Sequence, residues 1–362
     1  LLSLQQFLTA DEPKSWFGRS IQFANALVTG NFAATYDSPA PGVTTMWAGT
    51  LGLLLDYIRQ GFPGDLALFL ATVPFDPLDP SILPLIRLPA VLVATGTALL
   101  TFTWGRQILG RNTALLAALL LALDPFLLAL TRILGHDGLV TLFMWLSLLA
   151  FLRATLIGPK TDRTMLVISG LLGGLAFLTK YPALFLGAFI AVILLVFHWR
   201  RHQTWWGTLR TWTIEILLWS VAAGAVFVFL WPAMWVDPVG RVLAIANDAL
   251  RASGSAHPKG SFFFGQPVAD PGTSFYLIVS LFKTTPVVLL GVLLSLITLF
   301  AGWRKGYHAG PWFKATVIFI LFSVLFWAVV TVGGKKQDRY ILPAFPSLAA
   351  LAAIGYMYLP RI

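Results

Sequence analysis

Asp11 and Glu12 stand side by side just after a short apolar run, Leu1 to Leu8. Adjacent carboxylates can serve as a general base, bind a cation, or simply be solvated. Lys14 and Arg19 follow closely, so the segment pairs acid with base. A third carboxylate, Asp137, lies in Arg132-Ile133-Leu134-Gly135-His136-Asp137-Gly138, directly before an apolar run. Asp is a good helix cap, and a capping role does not exclude a chemical one. His136 taken alone reads as a solvated loop residue, because the spacing to the carboxylates is not that of a metal ligand set. The cations are Lys180, in Thr179-Lys180-Tyr181-Pro182, and those of Lys335-Lys336-Gln337-Asp338-Arg339-Tyr340. Lys, Arg and Tyr often anchor a chain at a membrane interface. Separate carboxylates gathered with several cations also suit base-assisted transfer on an anionic substrate, for which phosphate is the obvious group.

Such residues need elements to carry them to one place, and the composition says what those elements are. Of 362 residues, 57% are hydrophobic and 11% charged. The charged share is about half that of ordinary soluble domains. Lipid can solvate so much apolar surface; water cannot. The reading is an all-α polytopic membrane protein forming a single domain, 1–362. Nine stretches are long enough, or nearly so, to span: 86–104, 113–131, 138–156, 165–179, 183–199, 213–231, 276–301, 313–332 and 341–359. The fourth and fifth are divided at Pro182, since one run over both is too long for a single crossing. Gly170, Gly173 and Gly174 should let the fourth approach a neighbour closely. Leu1 to Leu8 reads as the end of a truncated helix. The spans are nearly free of charge, with Glu215 near a boundary and Lys283 the main exception.

Short-loop cations set the orientation. One side collects Arg106, Arg111, Arg153, Arg163, Arg304 and others, and is read as cytoplasmic. The other carries fewer, among them Arg132, Lys180, Lys336 and Arg339, and is read as extracytoplasmic. Two long loops face that way: 9–85, with apolar segments 44–58 and 65–74 suited to interfacial helices, and 232–274. The net charge of +10 is spread over short loops, which fits an anionic membrane surface and not nucleic acid. With no cysteine there is no disulfide or thiolate site.

In this order the motifs resemble the GT-C glycosyltransferases that use polyprenyl-phosphate sugars, including protein O-mannosyltransferases and lipid A aminoarabinose transferases. The resemblance rests on Asp11-Glu12 with Lys14, on Ala40-Pro41-Gly42-Val43-Thr44-Thr45-Met46-Trp47, and on Arg87-Leu88-Pro89. It continues through Asp137, Leu178-Thr179-Lys180, the block Gly260 to Gly265, Phe275-Tyr276, Lys283 to Pro286, and Arg339-Tyr340-Ile341-Leu342-Pro343. Aminoarabinose transferases carry Lys-Pro-Pro where this chain has Ala40-Pro41-Gly42, so one phosphate contact of those relatives is missing.

The resemblance implies an inverting transfer of a sugar from a polyprenyl phosphate to an acceptor hydroxyl on a lipid, glycan or protein. It places this at the extracytoplasmic face of a multi-pass cell-membrane protein, among membrane lipids. Asp11, Glu12 and Asp137 form the catalytic set. Lys14, Lys180, Lys336, Arg339 and Tyr340 hold the donor phosphate, and His136, His257 and Lys259 add contacts to donor or acceptor. No nucleotide or redox cofactor is needed; a divalent metal is left open, without a ligand set assigned. The alternative is a multi-pass transporter of an anionic or lipid-linked substrate. It predicts ionisable groups deep within the spans, whereas these charges cluster at one mouth.

Overall fold

The computed structural model describes residues 4–9, 11–38, 41–72, 81–201, 204–254 and 260–361. Residues 4–9 form turns, so the described part of the expected helix stub is not helical. A π-helical turn, Glu12–Trp16, runs into α1 (Phe17–Val28). Then come α2 (Val43–Arg59) and α3 (Leu66–Thr72), matching the two apolar segments of the first long loop as far as residue 72. The bundle follows with α4 (Leu83–Leu109), α5 (Arg111–Ala122), α6 (Pro125–Thr131), α7 (His136–Leu156), α8 (Arg163–Thr179), α9 (Leu184–Arg201) and α10 (Trp205–Phe229). The second long loop holds α11 (Ala233–Val236), α12 (Pro238–Gly254) and a hairpin of β1 (Ser261–Phe263) with β2 (Gln266–Val268). The chain continues through α13 (Phe275–Lys283), α14 (Pro286–Arg304) and α15 (Pro311–Val332). A 3-10 turn, Asp338–Ala344, leads into α16 (Phe345–Tyr358).

Among the described residues, seven helical runs are long and apolar enough to cross a membrane, and α5 with α6 makes an eighth if the bent pair is one span. The apolar α8 has 17 residues. The nine expected stretches all fall on these helices, with two corrections. The stretch 113–131 bends by 61°. Asp124 causes this by accepting from the Leu127 N–H at 2.8 Å, starting a new helix with Pro125 in its first turn. The stretch 276–301 is two helices. Thr285 caps α14, accepting from the Val288 N–H at 3.4 Å, and Pro286 is its first residue.

α7 is the buried axis of the bundle, with almost every residue from Asp137 to Thr155 enclosed. Ser147 and Ser169 exchange hydrogen bonds between α7 and α8, Oγ to carbonyl, at 2.7 and 2.8 Å. The glycines of α8 do meet a neighbour closely, and it is α10. A Cβ on Gly170 would lie 2.5 Å from the Trp219 carbonyl oxygen, and one on Gly174 2.5 Å from that of Ala223. The last turn of α7, with Arg153, and the last turn of α4, with Arg106, lie at one end of the bundle. There Arg153 donates to Gln107 at 2.7 Å, and the Tyr358 hydroxyl to the Leu109 carbonyl at 2.8 Å. The N-terminus of α7, the α8–α9 turn and the turn before α16 meet at the opposite end.

Candidate active site

The chain around Asp11 is held by an arginine from inside the bundle. Arg87, fully buried on α4, donates to both Glu12 carboxylate oxygens at 2.8 and 2.6 Å. It also donates to the carbonyls of Leu4, Gln6 and Phe7 at 2.6, 3.2 and 2.8 Å. Glu12 accepts further from the Leu134 N–H at 3.0 Å and from Thr9. An ion pair this enclosed and this fully bonded is a structural tie. Glu12, expected in the catalytic set, is held here as an anchor: Arg87, Leu134 and Thr9 occupy its carboxylate, and its neighbour Asp11 is left facing a cavity.

Asp11 accepts from Arg339 Nη1. On its other side Arg339 Nε lies 3.3 Å from Asp137 Oδ2, and Lys180 Nζ donates to Asp137 Oδ1 at 2.6 Å. The Lys180 ammonium also sits 4.2 Å from the centre of the Tyr340 ring. Four charged residues from four separate parts of the chain thus form one chain of contacts, Asp11–Arg339–Asp137–Lys180. Burial pulls the Lys180 ammonium pKa down, against the opposing pull of Asp137. Gly138 permits the close packing that places Asp137: a Cβ there would lie 2.5 Å from the Leu130 carbonyl oxygen of α6. Gly42, at a left-handed φ of 61°, starts α2 and donates its N–H to the Thr179 carbonyl at 3.1 Å. Thr44 and Thr179 share a hydrogen bond of 2.6 Å. The Pro41-Gly42 motif and the Thr179-Lys180 motif therefore interlock, and that contact fixes the turn carrying Lys180.

Two cavities meet at Arg339. One, of about 230 Å3, is walled by apolar side chains of α7 and α15, such as Val140, Met144, Phe326 and Val330. Its mouth carries Asp137, Lys180, Lys335, Arg339 and Tyr340. The other, of about 720 Å3, is lined by Asp11, Lys283, Lys336 and Asp338, with the β-hairpin and α13 supplying phenylalanines.

The candidate cations divide accordingly. Lys180, Arg339 and Tyr340 come together at the smaller cavity, joined by Lys335, which was not among the expected contacts. Lys336 does not join them. Its buried side chain donates to Asp270 at 2.9 Å on the wall of the larger cavity. That bond is the main reason the Asp270 carboxyl titrates below its usual range. Lys14 is exposed and lines neither cavity. His136 packs against Trp16, ring centres 4.9 Å apart, with Nε2 3.7 Å from Asp137. His257 and Lys259 lie outside the described residues. Among those described, no group of three His, Asp or Glu side chains is arranged to hold a metal ion.

Sequence reasoning missed Arg87 as an anchor, although a lone Arg at the second position of an apolar stretch was a signal. Asp270 had none, since its partner lies 66 residues away. Glu215 is not near a boundary, because α10 begins at Trp205. It is buried within α10, 2.8 Å from His198 of α9.

Residues 83–234 match the family described as dolichyl-phosphate-mannose-protein mannosyltransferase. No curated protein matches the chain in sequence. Among solved structures, ArnT from Cupriavidus metallidurans bound to undecaprenyl phosphate is similar at a TM-score of 0.62 and 14% identity, covering 98% of this chain and 57% of that one. Its apo form gives 0.57 and 15%, covering 94% and 54%. The oligosaccharyltransferase of Archaeoglobus fulgidus in complex with Zn and sulfate gives 0.51 and 11%, covering 94% and 44%. The chain thus spans roughly half the length of these proteins, and at such identities the likeness is one of fold.

Proposed function

We propose that this chain, which has the GT-C glycosyltransferase fold, moves a sugar from a polyprenyl phosphate to an acceptor hydroxyl with inversion, at the extracytoplasmic face of a cell membrane. The observation that carries the reading is Arg339, hydrogen-bonded to Asp11 on one side and ion-paired with Asp137 on the other, where an apolar cavity meets a polar one. The lipid tail lies along α7 and α15, and its phosphate sits at Lys180, Lys335 and Arg339. ArnT, the similar structure bound to undecaprenyl phosphate, supports this choice of ligand. The acceptor enters the larger cavity.

A phosphate arriving at Arg339 competes with the carboxylates already on it, which releases Asp11 toward the acceptor. The acceptor oxygen attacks the anomeric carbon as its proton passes to the Asp11 carboxylate. The carbon–oxygen bond to the phosphate breaks, and the polyprenyl phosphate leaves with that electron pair. General base catalysis contributes on the order of 10²–10⁴-fold. Cations fixed at the departing phosphate stabilise the charge that develops there.

The buried His198–Glu215 pair is the kind of intramembrane group that transport predicts, but it lines neither cavity. Undecaprenyl phosphate binding to the purified protein tests the donor site. Lys180→Ala and Arg339→Lys are each expected to lose about 1–3 kcal/mol of affinity, the scale of a hydrogen bond to a charged group. The Arg339→Lys loss follows because Lys keeps the charge but not the two-sided fork. Lys336→Ala should leave this affinity unchanged, since its ammonium belongs to Asp270. Wild-type affinity in both of the first two variants would remove the phosphate from this cavity.

A further inference from the structure

α12 is amphipathic in the inverted sense. Val239, Val242, Leu243, Ala246 and Leu250 recur at i, i+3, i+4, i+7 and i+11, so they share one face of the helix. All five are exposed, Val239 at 69% and Leu243 at 57%. Two of its charged residues, Arg241 and Asp248, lie on the opposite face, while Arg251 in the last turn is exposed on the flank of the stripe. Arg241 lies over the Tyr36 ring at 4.2 Å, and Asp248 is near enough to Tyr36 to act on its charge. Ile245 packs against the cluster around Phe23, Met46 and Trp231, and Ala249 lines the smaller cavity. A loop helix in water would turn its charges outward and its apolar side inward. This one does the reverse.

The connection to α10 says what the apolar face meets. α12 follows that span within a few residues, through Trp231 and α11. Trp231 Nε1 donates to the Thr35 carbonyl at 3.2 Å, and the Ala233 N–H to Thr35 Oγ1 at 2.8 Å, which holds the corner close to the end of the span. Phe229, the last residue of α10, and Trp235 and Val236 of α11 are exposed. Exposed apolar side chains thus stand at the end of α10, on α11 and along α12, with the exposed Asp237 between α11 and α12. Exposed Trp beside such a surface is a mark of the membrane–water boundary.

We infer that α12 lies flat on the bilayer surface, with this stripe among the lipid headgroups and upper acyl chains and its charged face turned toward the protein. Its partner is the lipid surface itself. On the donor reading above, on which this part rests, α12 then forms a roof over the donor cavity at the lipid boundary, with Ala249 in its wall.

The absence of cysteine makes the test direct. Single nitroxide labels go on Val239→Cys, Leu243→Cys and, as an inward-facing reference, Ile245→Cys, whose side chain packs on the cluster around Trp231. The whole protein is placed in phosphatidylcholine nanodiscs, and relaxation by oxygen is compared with relaxation by a water-soluble nickel complex. Labels at 239 and 243 are expected to be reached by oxygen in preference to nickel, and the label at 245 by neither. Preferential access by nickel at 239 and 243 would overturn the inference, because the stripe would then face water. Exclusion of both reagents there would overturn it too: with spin–spin broadening the cover is a second copy of the chain, and without it the cover is this chain. The labels report on docking whether or not the cavity holds a donor, so undecaprenyl phosphate binding can fail independently.

Discussion

Asp11→Asn is expected to abolish sugar transfer while leaving the fold and donor binding in place. Asn keeps the size of Asp and can still accept a hydrogen bond from Arg339, so the segment should hold its position. What it lacks is a carboxylate able to take the acceptor proton. The anchoring of the segment does not depend on Asp11, since the Arg87–Glu12 pair supplies it. Turnover should fall by at least the 10²–10⁴-fold typical of general base catalysis, with undecaprenyl phosphate affinity no weaker than wild type, since the phosphate no longer competes with a charged Asp11 for Arg339. Wild-type turnover in this variant would dismiss Asp11 as the base. A large loss of donor affinity would instead make it a positioning residue that works through Arg339.

Arg87→Ala is expected to be the most damaging change for stability. It strips five hydrogen bonds from residues 4–12 and leaves the Glu12 carboxylate buried without its cation. Removing one partner of such a pair costs about 3–5 kcal/mol, because a charge is left uncompensated in a low dielectric. Replacing both partners, as Arg87→Met with Glu12→Met, removes the stranded charge and should recover part of the loss in a thermal melt. Transfer should stay low in the double variant, because the backbone carbonyls of residues 4–7 still lack their donor and Asp11 is no longer held at the cavity. A single Arg87→Ala variant melting like wild type would refute the anchor. Recovery of transfer in the double variant would show that the anchor does not position Asp11.

Most of the bundle could be read from the sequence because lipid imposes a simple rule: long apolar runs become helices, and all nine expected runs are helical, though 113–131 and 276–301 are each divided into two helices. The errors lie where a local signal interrupts such a run. Asp124-Pro125 and Thr285-Pro286 are both cap-and-proline starts set inside apolar stretches, and averaging over the stretch hides them. The site was legible in part. Asp11, Asp137, Lys180 and Arg339 were all chosen for charge at one face, and they do meet. Which cation serves which cavity could not be read, because Lys335 and Lys336 are adjacent in sequence yet line different cavities. The pairing of Lys336 with Asp270 depends on the hairpin, where Ser261 Oγ donates to the Lys336 carbonyl. Glu12 and Asp11 are likewise neighbours with opposite fates, decided by an arginine 75 residues from Glu12.

The most direct test is to follow the sugar. The full-length protein, reconstituted in vesicles, is given undecaprenyl-phosphate-linked hexoses and pentoses labelled in the sugar, together with membrane-derived acceptors. The account predicts that for one of these donors the label moves from lipid to acceptor, free undecaprenyl phosphate appears in equal amount, the product has the opposite anomeric configuration, and Asp11→Asn stops all three. Passage of the intact lipid-linked sugar across the vesicle membrane, with no donor consumed, would contradict it and make the chain a transporter.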